Sequence, residues 1–230
     1  TGGPGSSSGE DILLNLLQPS DDPQHLGRLG PYEILEVVGH GGMGVVLKGH
    51  EERLNRCVAI KVLNPRLASN ATARKRFRRE SRAAAAVTHD HVVTIHAVDE
   101  IDGLPILVME YVEGTSLQKR INDNGPLELE EILRVGMQTA QGLAAAHAHG
   151  LIHRDVKPSN ILLENSVERV KLTDFGHARA VDDVQLTQTG GLAGTPEYMS
   201  PEQAQGEAVD RRSDLFSLGC VLYAMCTGRS

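Results

Sequence analysis

The run His153-Arg154-Asp155-Val156-Lys157-Pro158-Ser159-Asn160, followed by Asp174-Phe175-Gly176, constrains this 230-residue chain more than any other feature. It fixes an acid, a lysine, an amide and a second acid along the chain, and a fold that uses them must bring them to one place. Asp155 can receive the proton of an attacking hydroxyl. Asn160 and Asp174 offer oxygen ligands to magnesium, a hard cation that prefers carboxylate and carbonyl oxygen. Lys157, two residues beyond the acid, can neutralise charge on a phosphoryl group in flight. The set suits phosphoryl transfer from a metal-bound nucleotide.

Upstream, Gly39-His40-Gly41-Gly42-Met43-Gly44 carries the G-x-G-x-x-G spacing, in which residues without Cβ let a backbone lie close over phosphates. The same spacing in a dinucleotide-binding turn must lead into a helix. Here it leads into Val45-Val46-Leu47-Lys48 and then a further apolar run at Cys57–Val62, so the reading is strand, glycine turn, strand. In Val58-Ala59-Ile60-Lys61 the alternation of a strand puts Ala59 and Lys61 on one face. Lys61 needs a partner to hold it extended. Ser69 or Asn70 can cap a helix over Ala71 to Val87, on which Phe77 and Glu80 share a face among arginines, lysines and alanines. That pattern makes Glu80 the inward partner of Lys61 rather than a surface carboxylate.

In this order, and with Gly194-Thr195-Pro196-Glu197-Tyr198-Met199-Ser200-Pro201-Glu202 and Ser213-Asp214-Leu215-Phe216-Ser217-Leu218-Gly219 downstream, the motifs resemble those of Hanks-type (eukaryotic-like) serine/threonine protein kinases. Their wording, as in Gly41-Gly42-Met43-Gly44 and Glu110-Tyr111-Val112-Glu113-Gly114, is most similar to the bacterial branch, and the resemblance runs from about Pro31 to Ser230. It implies an α+β, bilobal kinase-like fold. An antiparallel sheet with one helix would span 31–110, and a mainly helical lobe, incomplete at its C-terminal end, 111–230. It also implies ATP and Mg2+ as cofactors and protein serines and threonines as substrates. By the same resemblance Val38, the loop Gly39–Gly44, Val46, Ala59, Met109, Glu110, Val112 and Leu162 would surround the nucleotide. Lys61, held by Glu80, would position its phosphates. Asp155, Lys157 and Asn160 would carry the transfer, with Asn160 and Asp174 on the metal. Thr195 would reach Asp155 and Lys157, which with Lys157 itself favours serine or threonine over tyrosine. Ser116 stands near a position where relatives place an acidic ribose contact, which leaves ribose recognition open.

Regulation is expected from the segment after Asp174. Thr187 and Thr189 are candidate phosphosites there, because a phosphate carrying about −1.5 to −2 charges could bridge Arg154 and the basic helix Arg74–Arg82. Autophosphorylation in trans would involve a homodimer. Competing readings are a small-molecule kinase, which shares the Asp155/Asn160 spacing, and a catalytically weak kinase fragment or nucleotide-binding module. The stretch Gly194–Glu202, suited to an extended peptide, speaks against the first; the presence of every catalytic group speaks against a pseudokinase.

Composition narrows the rest. A net charge of −7 argues against nucleic acid, with the run Arg74-Lys75-Arg76-Phe77-Arg78-Arg79 as the local exception. Cys57, Cys220 and Cys226 offer no complete disulfide set, and they read as packing residues in a reducing, cytoplasmic setting or at the cytoplasmic face of a membrane. No apolar run approaches the ~20 residues of a membrane span. His89/His91 and His147/His149 are each two apart, a poor spacing for joint metal binding on a helix, and His153 reads as packing behind the loop. Residues 1–30, rich in Gly, Ser, Asp and Pro apart from Ile12–Leu17, are expected to form a disordered tail. Beyond Arg211–Thr227 relatives continue for several helices, so the chain reads as part of a longer protein. Its face Leu215, Leu218, Val221, Leu222, Met225 is expected to be partly uncovered and Glu202 to lack a partner. His177 and Ser200 depart from the usual family residues without removing a catalytic group.

Overall fold

The computed structural model describes residues 17–165, 168–175 and 196–229. These divide into two units, one reaching Arg78 and resuming at Ile95–Tyr111, the other comprising Arg79–Thr94 and the chain from Val112 onward.

The first unit is built on a six-stranded antiparallel sheet in the order β1-β2-β3-β4-β6-β5. Its strands are β1 (Gly27–Leu29), β2 (Tyr32–Gly41), β3 (Gly44–Glu51), β4 (Arg56–Leu63), β5 (Ile95–Ile101) and β6 (Leu104–Glu110). β4 and β6 are adjacent interior apolar strands, and Ile60, Val62, Ile106 and Val108 are almost wholly excluded from solvent. A glycine at position 44 is required by the hairpin: its φ is +146°, and a Cβ there would lie 1.9 Å from the Val62 carbonyl oxygen. A short helix α1 (Pro65–Ala68) then precedes α2 (Ala71–Ala85). Asn70, not Ser69, caps α2, its side-chain oxygen accepting from the N–H groups of Thr72 and Ala73 at 2.9 and 3.1 Å. The Ser69 hydroxyl instead donates to the Arg66 carbonyl.

The expected tail of residues 1–30 needs correction over its described part. Gln18 and Arg28 exchange backbone hydrogen bonds of 2.9 and 2.7 Å, and β1 pairs with β2. The buried Glu33 carboxylate draws this segment in, accepting from Ser20 Oγ at 2.6 Å and meeting Arg28 Nε at 2.9 Å. Residues 1–16 lie outside the described residues. The boundary at 110/111 also needs a refinement. Residues 79–94 pack with the second unit because 91–93 are laced onto a strand of that unit: Val93 N donates to Leu172 O and Leu172 N to His91 O, both at 2.9 Å.

The second unit contains a small sheet β7-β8-β9 (Gly114–Ser116, Ile161–Glu164, Val170–Leu172) and the helices α3 (Leu117–Asn124), α4 (Leu129–Ala148), α5 (Pro201–Ala204) and α6 (Arg211–Thr227). Ser116 caps α3, its Oγ accepting from Lys119 N at 3.2 Å. α4 and α6 pack on one another, with Val135, Leu143, Ala146, Val221, Ala224 and Met225 buried. The face of α6 expected to be partly uncovered is so at Leu215, which is exposed, and at the half-buried Leu222, but Leu218, Val221 and Met225 are buried, and the exposed side also carries Phe216 and Tyr223. Apolar residues on nearly every side of this helix leave periodicity unable to choose the inward one. Cys57, expected in a buried strand, is exposed, because burial along β4 begins only at Val58. Among the described residues no helix is long and apolar enough to cross a membrane.

Candidate active site

Two constellations emerge, one in each unit. In the first, direct cross-strand pairing sets Val46 opposite Lys61, and Ala59 opposite Met109. Opposed residues of an antiparallel pair share a face, as do residues two apart on a strand, so these four side chains line one face of the sheet. Lys61 is only 7% exposed, and Glu110 closes β6. β2 is irregular between Val37 and Gly39, which puts Val38 at a bulge, half-exposed. A Cβ added at Gly39, Gly41 or Gly42 would meet nothing within 4 Å, so the backbone at these three positions borders open space. His40 and Met43 lie in the same hairpin, and the Met43 carbonyl accepts from Asn64 N at 2.8 Å. An anion of phosphate size fits such bare backbone.

In the second unit Asp155, Lys157 and Asn160 are in contact. Asp155 Oδ2 lies 2.9 Å from Lys157 Nζ and accepts from Asn160 Nδ2 at 2.9 Å; the same amide donates to the Asp155 carbonyl at 2.8 Å. With its nitrogen committed to Asp155, Asn160 keeps its carbonyl oxygen for another use, which fits a hard cation. Asp174 is tied to the same loop through its neighbour, since Thr173 N donates to Asn160 O at 3.1 Å and Thr173 O accepts from His153 Nε2 at 2.9 Å. Asp174 and Arg154 both take left-handed backbone, at φ 65° and 67°, a conformation that costs non-glycine residues energy and concentrates at functional positions. Leu162 lies on β8 and Val112 at the start of the unit. Glu80 is 7% exposed and Phe77 3%, as an inward face of α2 requires. His153 is fully buried with its ring centroid 4.4 Å from that of Phe175, a packing role as expected.

The loop is held from below by a residue that the sequence did not single out for this purpose. Asp214, in the first turn of α6 and fully buried, accepts from His153 N at 2.9 Å, Arg154 N at 2.8 Å and His147 Nε2 at 2.7 Å. A carboxylate is acceptor-only, so Nε2 of His147 carries the proton in this contact. His147 is thereby committed to Asp214, while His149 Nδ1 meets the Ala145 carbonyl of its own helix. Gln203 adds a second tether, donating to the Arg154 carbonyl at 2.8 Å, and closes a capping box with Ser200.

Two expectations are revised. Glu202 has a partner: the Ser213 hydroxyl donates to it, and this bond, with Arg212 nearby, holds its carboxyl below the ordinary value. The arginines of α2 are partly engaged as well, since Arg74 and Arg78 both reach Glu100 of β5. Thr187, Thr189 and Thr195, with Gly176 and His177, lie outside the described residues.

A small antiparallel sheet bearing a glycine hairpin and a buried lysine, joined in sequence to a helical unit bearing an Asp/Lys/Asn loop, defines a class. The model of the protein kinase domain matches residues 32–230, and the chain belongs to that family. The chain is similar to bacterial kinases. It is 44% identical over 212 residues to the serine/threonine-protein kinase PknB of Mycolicibacterium smegmatis, covering 90% of this chain. It is 42% identical over 215 residues to a probable serine/threonine-protein kinase, SCO3848, of Streptomyces coelicolor, covering 91%. The chain spans 33% and 32% of these two relatives. Among solved structures, the PknI kinase domain of Mycobacterium tuberculosis matches with a TM-score of 0.72 and 30% identity, over 88% of this chain and 76% of that one. The α+β kinase fold is thus that of the family.

Proposed function

We propose that the chain is the catalytic portion of a serine/threonine protein kinase that moves the γ-phosphoryl of ATP to hydroxyls on proteins, its own included. The observation that carries the reading is the Asp155 carboxylate, in contact with both Lys157 and Asn160 and positioned by the Asp214 anchor. Asp155 orients the attacking hydroxyl and takes its proton. Lys157 stands beside it to offset negative charge as the phosphoryl group passes. Asn160 and Asp174 would hold magnesium, which when bound neutralises phosphate oxygens. Lys61, for which Glu80 is the expected partner, would orient the α- and β-phosphates under the hairpin Gly39–Gly44; Val38, Val46, Ala59, Met109 and Glu110 of the first unit, with Val112 and Leu162 of the second, are the residues assigned to the adenine. Thr195 contributes to hydroxyl selection. Phosphorylation of Thr187 or Thr189, in trans between two copies, would raise the rate of transfer. The reaction would take place in the cytoplasm, or at the cytoplasmic face of a membrane if the parent chain is anchored there.

The test offers γ-labelled ATP and magnesium to the chain with serine, threonine and tyrosine peptides beside a sugar and aminoglycoside panel. Label on serine or threonine peptides, lost in Asp174→Asn, supports the proposal. Label only on the small molecules, or undiminished transfer by Asp174→Asn, refutes it. Mass spectrometry for phosphate on Thr187 and Thr189, with kinetics of the double alanine variant, tests the regulatory part.

A further inference from the structure

Lys48 is out of place on its strand. β3 otherwise alternates small or apolar residues through Gly44-Val45-Val46-Leu47, yet Lys48 falls on the face shared by Val46, Ala59 and Met109. Cross-strand register makes the row explicit: Glu36 on β2 opposes Lys48, Lys48 opposes Ala59 on β4, and Ala59 opposes Met109 on β6. The Lys48 ammonium is only partly accessible and has two partners. Glu36 Oε1 lies 3.3 Å away, and the ring centroid of Tyr111, one residue beyond the end of β6, lies 4.6 Å away. Desolvation is the strongest influence on this amine and lowers its pKa, but Glu36 and the Tyr111 phenol outweigh it and leave the pKa raised, so the cation is retained. A charge over an aromatic face within about 6 Å is attracted to the ring quadrupole.

We propose that Lys48 is a positioning residue for adenine recognition. Anchored by Glu36, its charge clamps the Tyr111 ring and fixes the backbone of Met109-Glu110-Tyr111 against β3 and β4. The base itself would meet Ala59, Met109 and the Glu110 peptide; Lys48 acts on it through Tyr111. Every group in this tie belongs to the first unit. The inference rests on the nucleotide reading above, and it adds a specific determinant of affinity for the base.

The test uses the 230-residue chain and measures adenosine affinity, together with KM for ATP and kcat. A partly exposed cation–π contact corresponds to about two- to five-fold in affinity. Lys48→Met and Tyr111→Leu are expected to weaken adenosine binding and raise KM by that factor, with kcat within error of the wild type. Lys48→Arg keeps a cation over the ring and should match the wild type, and Tyr111→Phe, which keeps the ring but loses the phenol that also meets Lys48, should bind adenosine more tightly than Tyr111→Leu. The double variant Lys48→Met/Tyr111→Leu should be no weaker than either single change, because both break one tie. Should Lys48→Met fail to fold, Glu36→Gln at the more exposed partner should still weaken adenosine binding. Wild-type affinity in Lys48→Met, multiplicative losses in the double variant, or a loss confined to kcat would overturn the proposal. If the wild type binds neither adenosine nor ATP, the nucleotide reading falls and this inference with it. If it binds them and Lys48→Met and Tyr111→Leu bind equally well, this inference alone falls.

Discussion

Replacing Asp214 by alanine removes the acceptor of three donors at once: the N–H groups of His153 and Arg154 and Nε2 of His147. The carboxylate is buried, so water does not readily replace it. Each stranded donor costs about 1–3 kcal/mol, and hydrogen bonds to charged groups sit at the upper end of the range. The three share one acceptor and are not additive, so the total expected is about 3–5 kcal/mol, the usual penalty for breaking a buried charged network. For a chain of this size each kcal/mol lowers Tm by roughly 2–4 °C, which predicts a fall of about 6–20 °C. Asp214→Asn is a graded control. One amide oxygen in the place of Oδ2 still serves His153 N and His147 Nε2, leaving Arg154 N against an NH2 group, so roughly half the loss is expected. The assay is thermal unfolding by circular dichroism, with phosphate transfer measured below the transition. Activity should fall further than the folded fraction, because Asp155 follows directly on the released Arg154. A Tm within about 2 °C of the wild type for Asp214→Ala, or an asparagine variant as damaged as the alanine one, would refute the anchoring argument.

Other variants probe separate parts of the fold. Asn70→Ala removes the α2 cap and should cost about 1 kcal/mol, or roughly 2–4 °C in Tm. Phe216→Ser and Tyr223→Ser, on the exposed side of α6, should each stay within about 0.5 kcal/mol of the wild type, whereas Met225→Ala should cost about 2–5 kcal/mol; urea midpoints distinguish the two faces. Glu100 has a carboxyl pKa lowered from the ordinary 4.5, first by its hydrogen bond from Arg74 and then by the charges of Arg74 and Arg78. Because the folded value is the lower one, its contribution is fully present above about pH 4.5 and is lost as pH falls through the folded value. Glu100→Gln should therefore lower stability at neutral pH and flatten the acid limb of a Tm-versus-pH curve.

How much of this was legible depends on the kind of physics each feature uses. The candidate site groups were legible because the chemistry proposed for them demands particular residues at particular spacing, and Asp155, Lys157 and Asn160 do meet. Elements with strong local signals were legible as well. Asn70 before an alanine- and arginine-rich run gave α2, and the glycine hairpin gave β2 and β3. β1 escaped because a three-residue strand with only Arg28 and Leu29 between two glycines carries too little pattern, and it is held by pairing with β2 and by the Glu33 carboxylate, both long-range effects. The three-stranded sheet of β7, β8 and β9 was hidden for the same reason. Asp214 was visible as a motif residue, but its role as a shared acceptor follows from contacts spanning 60 to 67 positions. The inward face of α6 could not be chosen while its apolar residues surround the helix. Lys48 drew no notice because a lone lysine on a strand usually marks a solvated edge, and only the register shows it opposite Ala59.

The most direct measurement pairs nucleotide binding with phosphate transfer in a single variant, Asp155→Asn. That substitution preserves shape and leaves the first unit untouched while removing the base. The predicted result is unchanged ATP affinity and a rate of transfer to serine and threonine lower by about 10²–10⁴-fold. Transfer at the wild-type rate by Asp155→Asn would contradict the assignment of this loop as the catalytic centre.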